Sequence, residues 1–362
     1  MKIAIVGAGI VGSTAAYYLS KEKDVEVTVF DHGLGQATKA AAGIISPWFS
    51  KRRNKAWYRM ARLGADFYQD LVSDLENDGY DTSFYDQSGV ALLKKDDSKL
   101  DGLYQHAETR LEESPIIGEL SIKNVADLPE FTGFNRYLYA SGGARVEGAE
   151  LTATLIEASG FEKVEGLVTL SPLDNGTYEI NGQTFDKVIL SCGAWLGQTL
   201  EPLGFEVDVR PQKGQLRDYF FEGLDTGKLP VLMPEGELDV IPFAGGKISV
   251  GASHENDQGF DLTVDETVLA SLEEEAKTYF PDLSTAKSFS ERVGTRAYTS
   301  DFSPFFGEVP ELEGVFVASG LGSSGLTTGP LIGKNLVELA MNRPGSLDSS
   351  DYPVSQYVKK KD

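Results

Sequence analysis

The chain of 362 residues contains one cysteine and three histidines. The single cysteine, Cys192, excludes an intramolecular disulfide and a dithiol redox centre. The histidines, His32, His106 and His254, do not have the spacing of metal ligands, and we predict no metal site. Zinc enzymes and dithiol oxidoreductases are therefore disfavoured as function classes.

Basic residues are outnumbered, with 33 lysines and arginines against 55 aspartates and glutamates and a formal net charge of -22. Nucleic acid carries the same sign of charge, so we expect no nucleic-acid partner. An anionic substrate would need a local cationic anchor in such a protein. We therefore expect a binding site for an anionic substrate to contain an arginine or a lysine.

The sequence has no apolar run long enough to span a bilayer. Its apolar start lacks the long core and the cleavage site of a signal peptide, and we interpret it as a buried strand. We expect a cytoplasmic protein with no integral membrane segment. The length suits two intertwined domains rather than one compact core, and the oligomeric state stays open.

The first 31 residues have the pattern of a dinucleotide-binding fold. An apolar strand at residues 2–6 precedes GAGIVG at residues 7–12, and a helix is predicted at 10–21. A second strand at 25–30 ends at Asp31. Because strand, glycine motif, helix and acidic residue all occur in order, the motif predicts dinucleotide binding rather than an empty turn.

Each conspicuous residue of this motif has a physical role. Gly7 permits the tight turn, Gly9 lets the backbone approach a pyrophosphate, and Gly12 lets the helix pack on the strand. The positive end of the helix dipole stabilises the phosphates. The carboxylate of Asp31 can accept hydrogen bonds from the ribose, which disfavours NADP because its 2′-phosphate would be repelled.

Two further segments favour FAD over NAD. Residues 33–50 contain Thr38 and a run of small residues that can lie flat against a bulky ring, although a plain surface loop is the alternative. A second glycine-rich turn at 320–325 follows a strand predicted at 315–318. The next helix is predicted at 330–341, and its start could stabilise negative charge on a reduced flavin.

Seven segments together resemble one known family. They are IVGAGIVGSTAAYYL from Ile5, AAAGIISPW from Ala40, KVILSCGAW from Lys187, VRPQKGQL from Val209, ISVGASHE from Ile248, GTRAYTSDFSPFFG from Gly294 and GVFVASGLGSSGLTTGP from Gly314. In this order they resemble the D-amino-acid oxidase and glycine oxidase superfamily of FAD-dependent oxidoreductases. The resemblance extends from the first strand to the last helix.

The resemblance implies an α/β fold (α+β across the whole chain), with a Rossmann-like FAD-binding domain and a mainly antiparallel substrate domain. We expect the FAD domain at 1–80, 145–200 and 300–362, and the substrate domain at 81–144 and 201–299. The expected cofactor-binding residues are Gly7, Ala8, Gly9, Ile10, Val11, Gly12, Asp31, His32, Thr38, Ala41, Ala42, Gly43, Ile44, Val168, Ser191, Cys192, Gly193, Trp195, Gly320, Gly322, Ser323, Ser324, Gly325 and Leu326. Since the only cysteine lies in the cofactor-side strand, the FAD is predicted to be noncovalent.

Arg296 is the candidate substrate anchor, because its segment resembles the G-x-R motif that carries the family's carboxylate-binding arginine. The guanidinium fork matches two carboxylate oxygens, although a salt bridge to an acid is the alternative. Tyr298 would face the same way on a strand, and Trp48 could wall the substrate site or lie in the core. Ala297 stands where the family often has proline, which leaves the pocket shape open.

These features together predict oxidation of the C–N bond of an amino acid of the D-amino acid, glycine or N-methylglycine type. Hydride transfer to the flavin would give an imino acid and then a keto acid. Oxygen as the acceptor would give peroxide and make the enzyme an oxidase, whereas a membrane quinone or carrier as the acceptor would make it a dehydrogenase, and the sequence leaves both open. A 2-hydroxy-acid oxidoreductase, a non-enzymatic flavoprotein subunit and a nicotinamide-dependent dehydrogenase remain as alternatives. The last of these leaves the second glycine-rich turn unexplained.

Overall fold

The computed structural model describes residues 1–361. The strands are β1 (Lys2–Val6), β2 (Glu26–Asp31), β3 (Ile44–Ile45), β4 (Tyr85–Asp86), β5 (Val90–Leu92), β6 (Leu120–Asn124), β7 (Arg136–Ala140), β8 (Ala144–Val146), β9 (Glu162–Glu165), β10 (Leu170–Pro172), β11 (Tyr178–Ile180), β12 (Gln183–Phe185), β13 (Lys187–Leu190), β14 (Phe205–Val207), β15 (Arg210–Phe220), β16 (Val231–Met233), β17 (Asp239–Phe243), β18 (Lys247–Gly251), β19 (Ser288–Tyr298), β20 (Phe305–Glu308), β21 (Val315–Ser319) and β22 (Val358–Lys360). The helices are α1 (Ile10–Leu19), α2 (Ala37–Ala40), α3 (Lys55–Asn77), α4 (Ser98–Glu108), α5 (Gly148–Ser159), α6 (Leu196–Leu200), α7 (Glu266–Tyr279) and α8 (Gly325–Ala340).

A six-stranded sheet contains the N-terminal motif. Its order is β20-β21-β13-β1-β2-β9, and all pairs are parallel except β20 with β21. The strand β1 is central and buried because its residues are apolar on both faces. Helix α1 packs against α5 and α8. The predicted α/β dinucleotide-binding architecture is confirmed.

An eight-stranded sheet forms the second layer, in the order β19-β15-β18-β17-β16-β5-β7-β6. Its pairs are antiparallel except β5 with β16, as expected for a mainly antiparallel sheet. One face packs on α7, where Leu272 and Ala276 meet Val240 and Val250. The other face turns toward the six-stranded sheet, and this leaves room for a cavity between the two.

Helix α8 begins at Gly325, five residues before the predicted start at Pro330, so that boundary was wrong. Proline has no N–H group, and within a helix it leaves the carbonyl four residues earlier without its donor. That carbonyl belongs to Leu326, and it accepts a hydrogen bond of 2.7 Å from the hydroxyl of the buried Tyr68. Tertiary structure therefore supplies the partner that proline removes, and the helix extends back to the glycine-rich turn.

None of the helices within residues 1–361 is long and apolar enough to cross a membrane. The same residues contain no cluster of three or more His, Cys, Asp or Glu side chains that could hold a metal ion.

We expect Tyr68→Phe to lower stability by about 1–3 kcal/mol, because it leaves a buried carbonyl without a donor. Phenylalanine keeps the stacking on Tyr85, whose ring centroid lies 5.0 Å away. Thermal unfolding measures the effect. The control is the same change in a Pro330→Ala background, where residue 330 regains its N–H and the cost should shrink. An equal cost in both backgrounds contradicts the explanation.

Candidate active site

A cavity of about 830 Å³ lies between the two large sheets. It extends from the ends of β1 and β2 to the wall formed by β15 and β19. Its volume falls within the range of roughly 300–1,000 Å³ that is typical of ligand and cofactor sites. The cavity is therefore large enough for an extended cofactor.

Close backbone packing shapes one end of this cavity. Gly7 has φ of +101°, and a side chain there would collide with the carbonyl of Ser191 at the end of β13. A side chain at Gly12 would collide with the carbonyl of Gly7. The hydroxyl of Ser191 donates to that same carbonyl at 2.7 Å. Helix α1 can start against the strand ends only because these two positions are glycine.

The polar groups of this end are partly engaged with one another. Asp31 accepts from the N–H of Ala8 at 3.1 Å and from the amide of Gln36 at 2.8 Å. Thr38 accepts from the N–H of Ile10 at 3.0 Å. The side-chain oxygen of Gln36 is buried without a hydrogen-bond partner in residues 1–361. These groups line the cavity and remain able to accept a ligand's hydroxyl protons.

The segment of small residues lies along the cavity wall, as predicted. Gly43 has φ of +84°, and a side chain there would collide with the carbonyl of Val146. Arg292 donates to the carbonyl of Ala41 at 2.9 Å and pairs with Asp218 at 2.8 Å. Arg292 therefore fastens this segment to the eight-stranded sheet and has a structural role.

Tyr298 and Trp48 do not line the cavity. Tyr298 lies behind the second glycine-rich turn, where its hydroxyl accepts from the N–H of Ser323 at 3.1 Å. A side chain at Gly322 would run into the Tyr298 ring. Trp48 is fully buried in the core, and Phe49 and Trp57 contribute to the cavity wall instead. Packing against the turn determines what the Tyr298 ring contacts.

Arg296 lies in the wall with its guanidinium over Gly214, where a Cβ atom would be 2.6 Å from the Cζ atom. Its Nη1 donates to the carbonyl of Ser253 at 2.8 Å and to Oε1 of Gln212 at 3.3 Å. No carboxylate lies within 4 Å among residues 1–361, so the alternative of a salt bridge does not occur. Burial lowers the pKa of Arg296, but an arginine stays charged at neutral pH.

The cavity brings together most of the predicted residues. Those that line it are Gly7, Gly9, Ile10, Val11, Asp31, His32, Thr38, Ala41, Ala42, Gly43, Ile44, Val168, Ser191, Cys192, Gly193, Trp195, Arg296, Gly322, Ser323, Ser324, Gly325 and Leu326. Ala8, Gly12 and Gly320 lie just behind it. Ala8 bonds Asp31, Gly12 packs on Gly7, and Gly320 with φ of +74° packs on Thr299.

Several lining residues escaped the sequence analysis. They include Gln36, Met233, Glu237, Asp239, His254 and Thr295. No local signal tells which end of the β17 and β18 hairpin faces a cofactor. The position of Asp239 depends on how eight strands from distant parts of the chain are ordered.

The chain matches a known protein family over most of its length. The family model DAO, described as FAD dependent oxidoreductase, matches residues 2–339. The chain belongs to this family. It is 38% identical over 362 residues to the uncharacterized oxidoreductase YurR of Bacillus subtilis, covering 96% of this chain and 97% of the relative. It is 29% identical over 365 residues to a glycine oxidase of Pseudomonas aeruginosa, covering 97% and 98%.

Solved structures of the DAO family share this fold. Iminodiacetate oxidase from Chelativorans sp. BNC1 superposes with a TM-score of 0.91 at 30% identity, covering 97% of this chain and 98% of that one. Glycine oxidase from Geobacillus kaustophilus has a TM-score of 0.84 at 23% identity, covering 98% of both chains. The recognition of the family and of FAD as the cofactor is confirmed.

The residues present fit FAD. The glycine cradle at Gly7 and Gly9 and the helix start at Ile10 suit the pyrophosphate, and Asp31 suits a ribose. The free oxygen of Gln36 is an unused acceptor in the same wall. When bound, FAD supplies the electron acceptor, and the protein supplies binding and orientation.

We expect Gly9→Ala and Gly12→Ala to act differently. A Cβ at Gly9 would lie 3.4 Å from the Thr38 hydroxyl and clash with nothing, so the apoprotein should melt normally. It would stand where the phosphates approach, so FAD affinity should fall at least about tenfold. Gly12→Ala should lower the melting temperature of the apoprotein itself. Wild-type FAD affinity in the Gly9 variant would overturn the cradle assignment.

The FAD should be released by acid or heat precipitation, with all yellow colour in the supernatant. Cys192 lies in the wall, but burial raises the pKa of its thiol to about 11, so little reactive thiolate forms at neutral pH. Cys192→Ser is the matched control and should behave the same way. Colour retained in the wild-type pellet but not in the variant's pellet would demonstrate a covalent link.

Proposed function

We propose that this protein oxidises the C–N bond of a small amino acid or N-substituted amino acid, with FAD as the electron acceptor. The carrying observation is Arg296, a cavity-facing guanidinium that has no carboxylate partner within residues 1–361. A half-buried cation without a counter-ion is costly unless a ligand supplies one. An anionic substrate satisfies this requirement in a protein of net charge -22.

The names of relatives support a substrate with both an amine and a carboxylate. Their names include glycine oxidase, iminodiacetate oxidase, 4-methylaminobutanoate oxidase and D-amino acid dehydrogenase. Glycine, iminodiacetate and 4-methylaminobutanoate all carry the two groups. The amine differs from one to another, whereas the carboxylate is common to them, as the arginine requires.

Arg296 would bind the carboxylate through its remaining donors. Its Nη1 is engaged by Ser253 and Gln212, and these bonds fix the plane of the guanidinium. No acceptor within residues 1–361 bonds Nη2 or Nε, so one edge of the fork is available for a bidentate pair. Held this way, the substrate presents its Cα–H bond to the acceptor, and Met233 and Leu92 exclude water from the cavity.

The other site assignments are part of the same proposal. The lining residues predicted for the cofactor bind FAD, and Tyr298 supports the turn at Gly322. The domain division is also a proposal: residues 1–80, 145–200 and 300–362 bind FAD, and residues 81–144 and 201–299 bind the substrate. The six strands of the first large sheet fall in the former set, and the eight strands of the second fall in the latter.

The testing experiment is anaerobic mixing of the yellow holoprotein with glycine, sarcosine, iminodiacetate, D- and L-amino acids and 2-hydroxy acids. Bleaching of the flavin by an amino compound supports the proposal, and admission of air then tests oxygen as the acceptor through peroxide formation. Bleaching by 2-hydroxy acids alone would overturn it in favour of the hydroxy-acid alternative.

We expect Arg296→Ala to raise KM for the accepted carboxylate substrate by at least about 100-fold, because two charge-assisted hydrogen bonds are lost. Arg296→Lys should recover only part of this, since lysine lacks the fork. Arg210→Ala is the matched control. Arg210 is an exposed cation of β15 outside the cavity wall, and its loss should change KM less than threefold. Equal effects of the two alanine variants would refute the clamp.

A further inference from the structure

A second titratable side chain without a partner in residues 1–361 lines the same cavity. Asp239 is the first residue of β17, and its carboxyl belongs to the wall that also contains Arg296. Its carboxyl has no hydrogen-bond donor or cation as a partner within residues 1–361, and burial is the only influence on its pKa. A carboxyl in such a position is costly unless something that enters the cavity pairs with it.

The surroundings of Asp239 are mostly apolar. Met233 at the end of β16 and Leu92 at the end of β5 line the wall beside it. The titratable or charged groups of neighbouring elements in this wall are Glu237, His254 and Arg296. Glu237 already faces His254, with 3.7 Å between Oε1 and Nδ1. Of these two acidic residues, Glu237 therefore has a partner and Asp239 has none within residues 1–361.

The strand register places Asp239 and Arg296 on one face of the eight-stranded sheet. Asp239 pairs with Gly251, Gly251 with Leu216, and Leu216 with Arg292. Paired residues point to the same face, and Arg296 follows Arg292 by four residues, so its side chain points the same way. Both side chains therefore line the same cavity, where one small dipolar molecule can meet both.

We propose that Asp239 binds the ammonium group of the substrate, so that Arg296 and Asp239 recognise the two opposite charges of an amino acid. This inference rests on the proposed function and names the residue that selects an amine over a hydroxyl or an ether.

Asp239 also receives the proton that the amine must lose. The N–H bond of the ammonium breaks, an O–H bond forms on the carboxylate, and the nitrogen keeps the electron pair. That pair would stabilise positive charge at Cα during oxidation, for which bound FAD would supply the electron acceptor. Burial raises the pKa of Asp239 to about 8, which makes its carboxylate a far better proton acceptor than an ordinary aspartate.

The test compares matched ligands that differ only at the nitrogen. Sarcosine is paired with methoxyacetate, and iminodiacetate with oxydiacetate, each ether lacking the ammonium. Dissociation constants for the holoprotein come from anaerobic titrations. Ether binding is followed by the perturbation of flavin absorbance, and amine binding by the concentration dependence of flavin reduction.

We expect Asp239→Asn to weaken the binding of the amines at least tenfold and that of the ethers less than threefold. Glu235→Gln removes an acid four residues away that pairs with Lys94 outside the cavity wall, and it should change neither class by more than threefold. Amine affinity of the wild type should rise as pH increases toward about 8, because only the ionised Asp239 pairs with an ammonium, and the Asn variant should lack this rise. Unchanged amine affinity in the Asn variant overturns the inference.

Arg296→Ala separates the two proposals. It should weaken amines and ethers alike, because both carry the carboxylate. If it weakens neither, the proposed function fails at its anchor, whatever the Asp239 variants do. A melting temperature of Asp239→Asn at or above that of the wild type excludes misfolding as the cause, since the substitution removes only an unpaired carboxyl.

Discussion

The close backbone packing of Gly7 against Ser191 and of Gly12 against Gly7 is the constraint on which the rest of the site depends. Helix α1 can begin directly above the strand ends only where no Cβ intervenes. That approach directs the positive end of the helix into the crevice between the sheets, and Asp31 then lies at the end of the next strand. A cavity that accepts an anionic cofactor in an acidic protein follows from this packing.

The same principle recurs where the substrate is proposed to bind. Gly214 leaves space that the guanidinium of Arg296 fills, and Gly294 lets the α2 segment approach β19, since a Cβ there would lie 2.7 Å from that of Ala40. Two sheets that belong to different parts of the chain are thereby held close together. Arg296 and Asp239 line the space that remains, and a ligand that carries the opposite charges would stabilise the ionised form of each.

Local patterns were reliable where the physical cause is itself local. The strand β1, the glycine turn and the helix α1 depend on neighbouring residues, and the sequence predicted them to within a few residues. The start of α8 could not be predicted in this way. Proline is unfavourable inside a helix because it has no N–H group. The helix accommodates Pro330 because the hydroxyl of Tyr68, 262 positions earlier in the sequence, donates a hydrogen bond to the carbonyl of Leu326.

The sequence by itself determined the glycine cradle and the candidate arginine, because each is carried by a short contiguous motif with its own stereochemical reason. It also determined the family and the cofactor, because several such motifs occur in a specific order along the chain. Tertiary structure alone decided that Trp48 lies in the core, that Tyr298 supports a turn, and that Asp239 shares a wall with Arg296. These outcomes depend on the order of strands within a sheet and on which face meets the cofactor domain. No local periodicity encodes either property, because both arise from contacts between residues far apart in the chain.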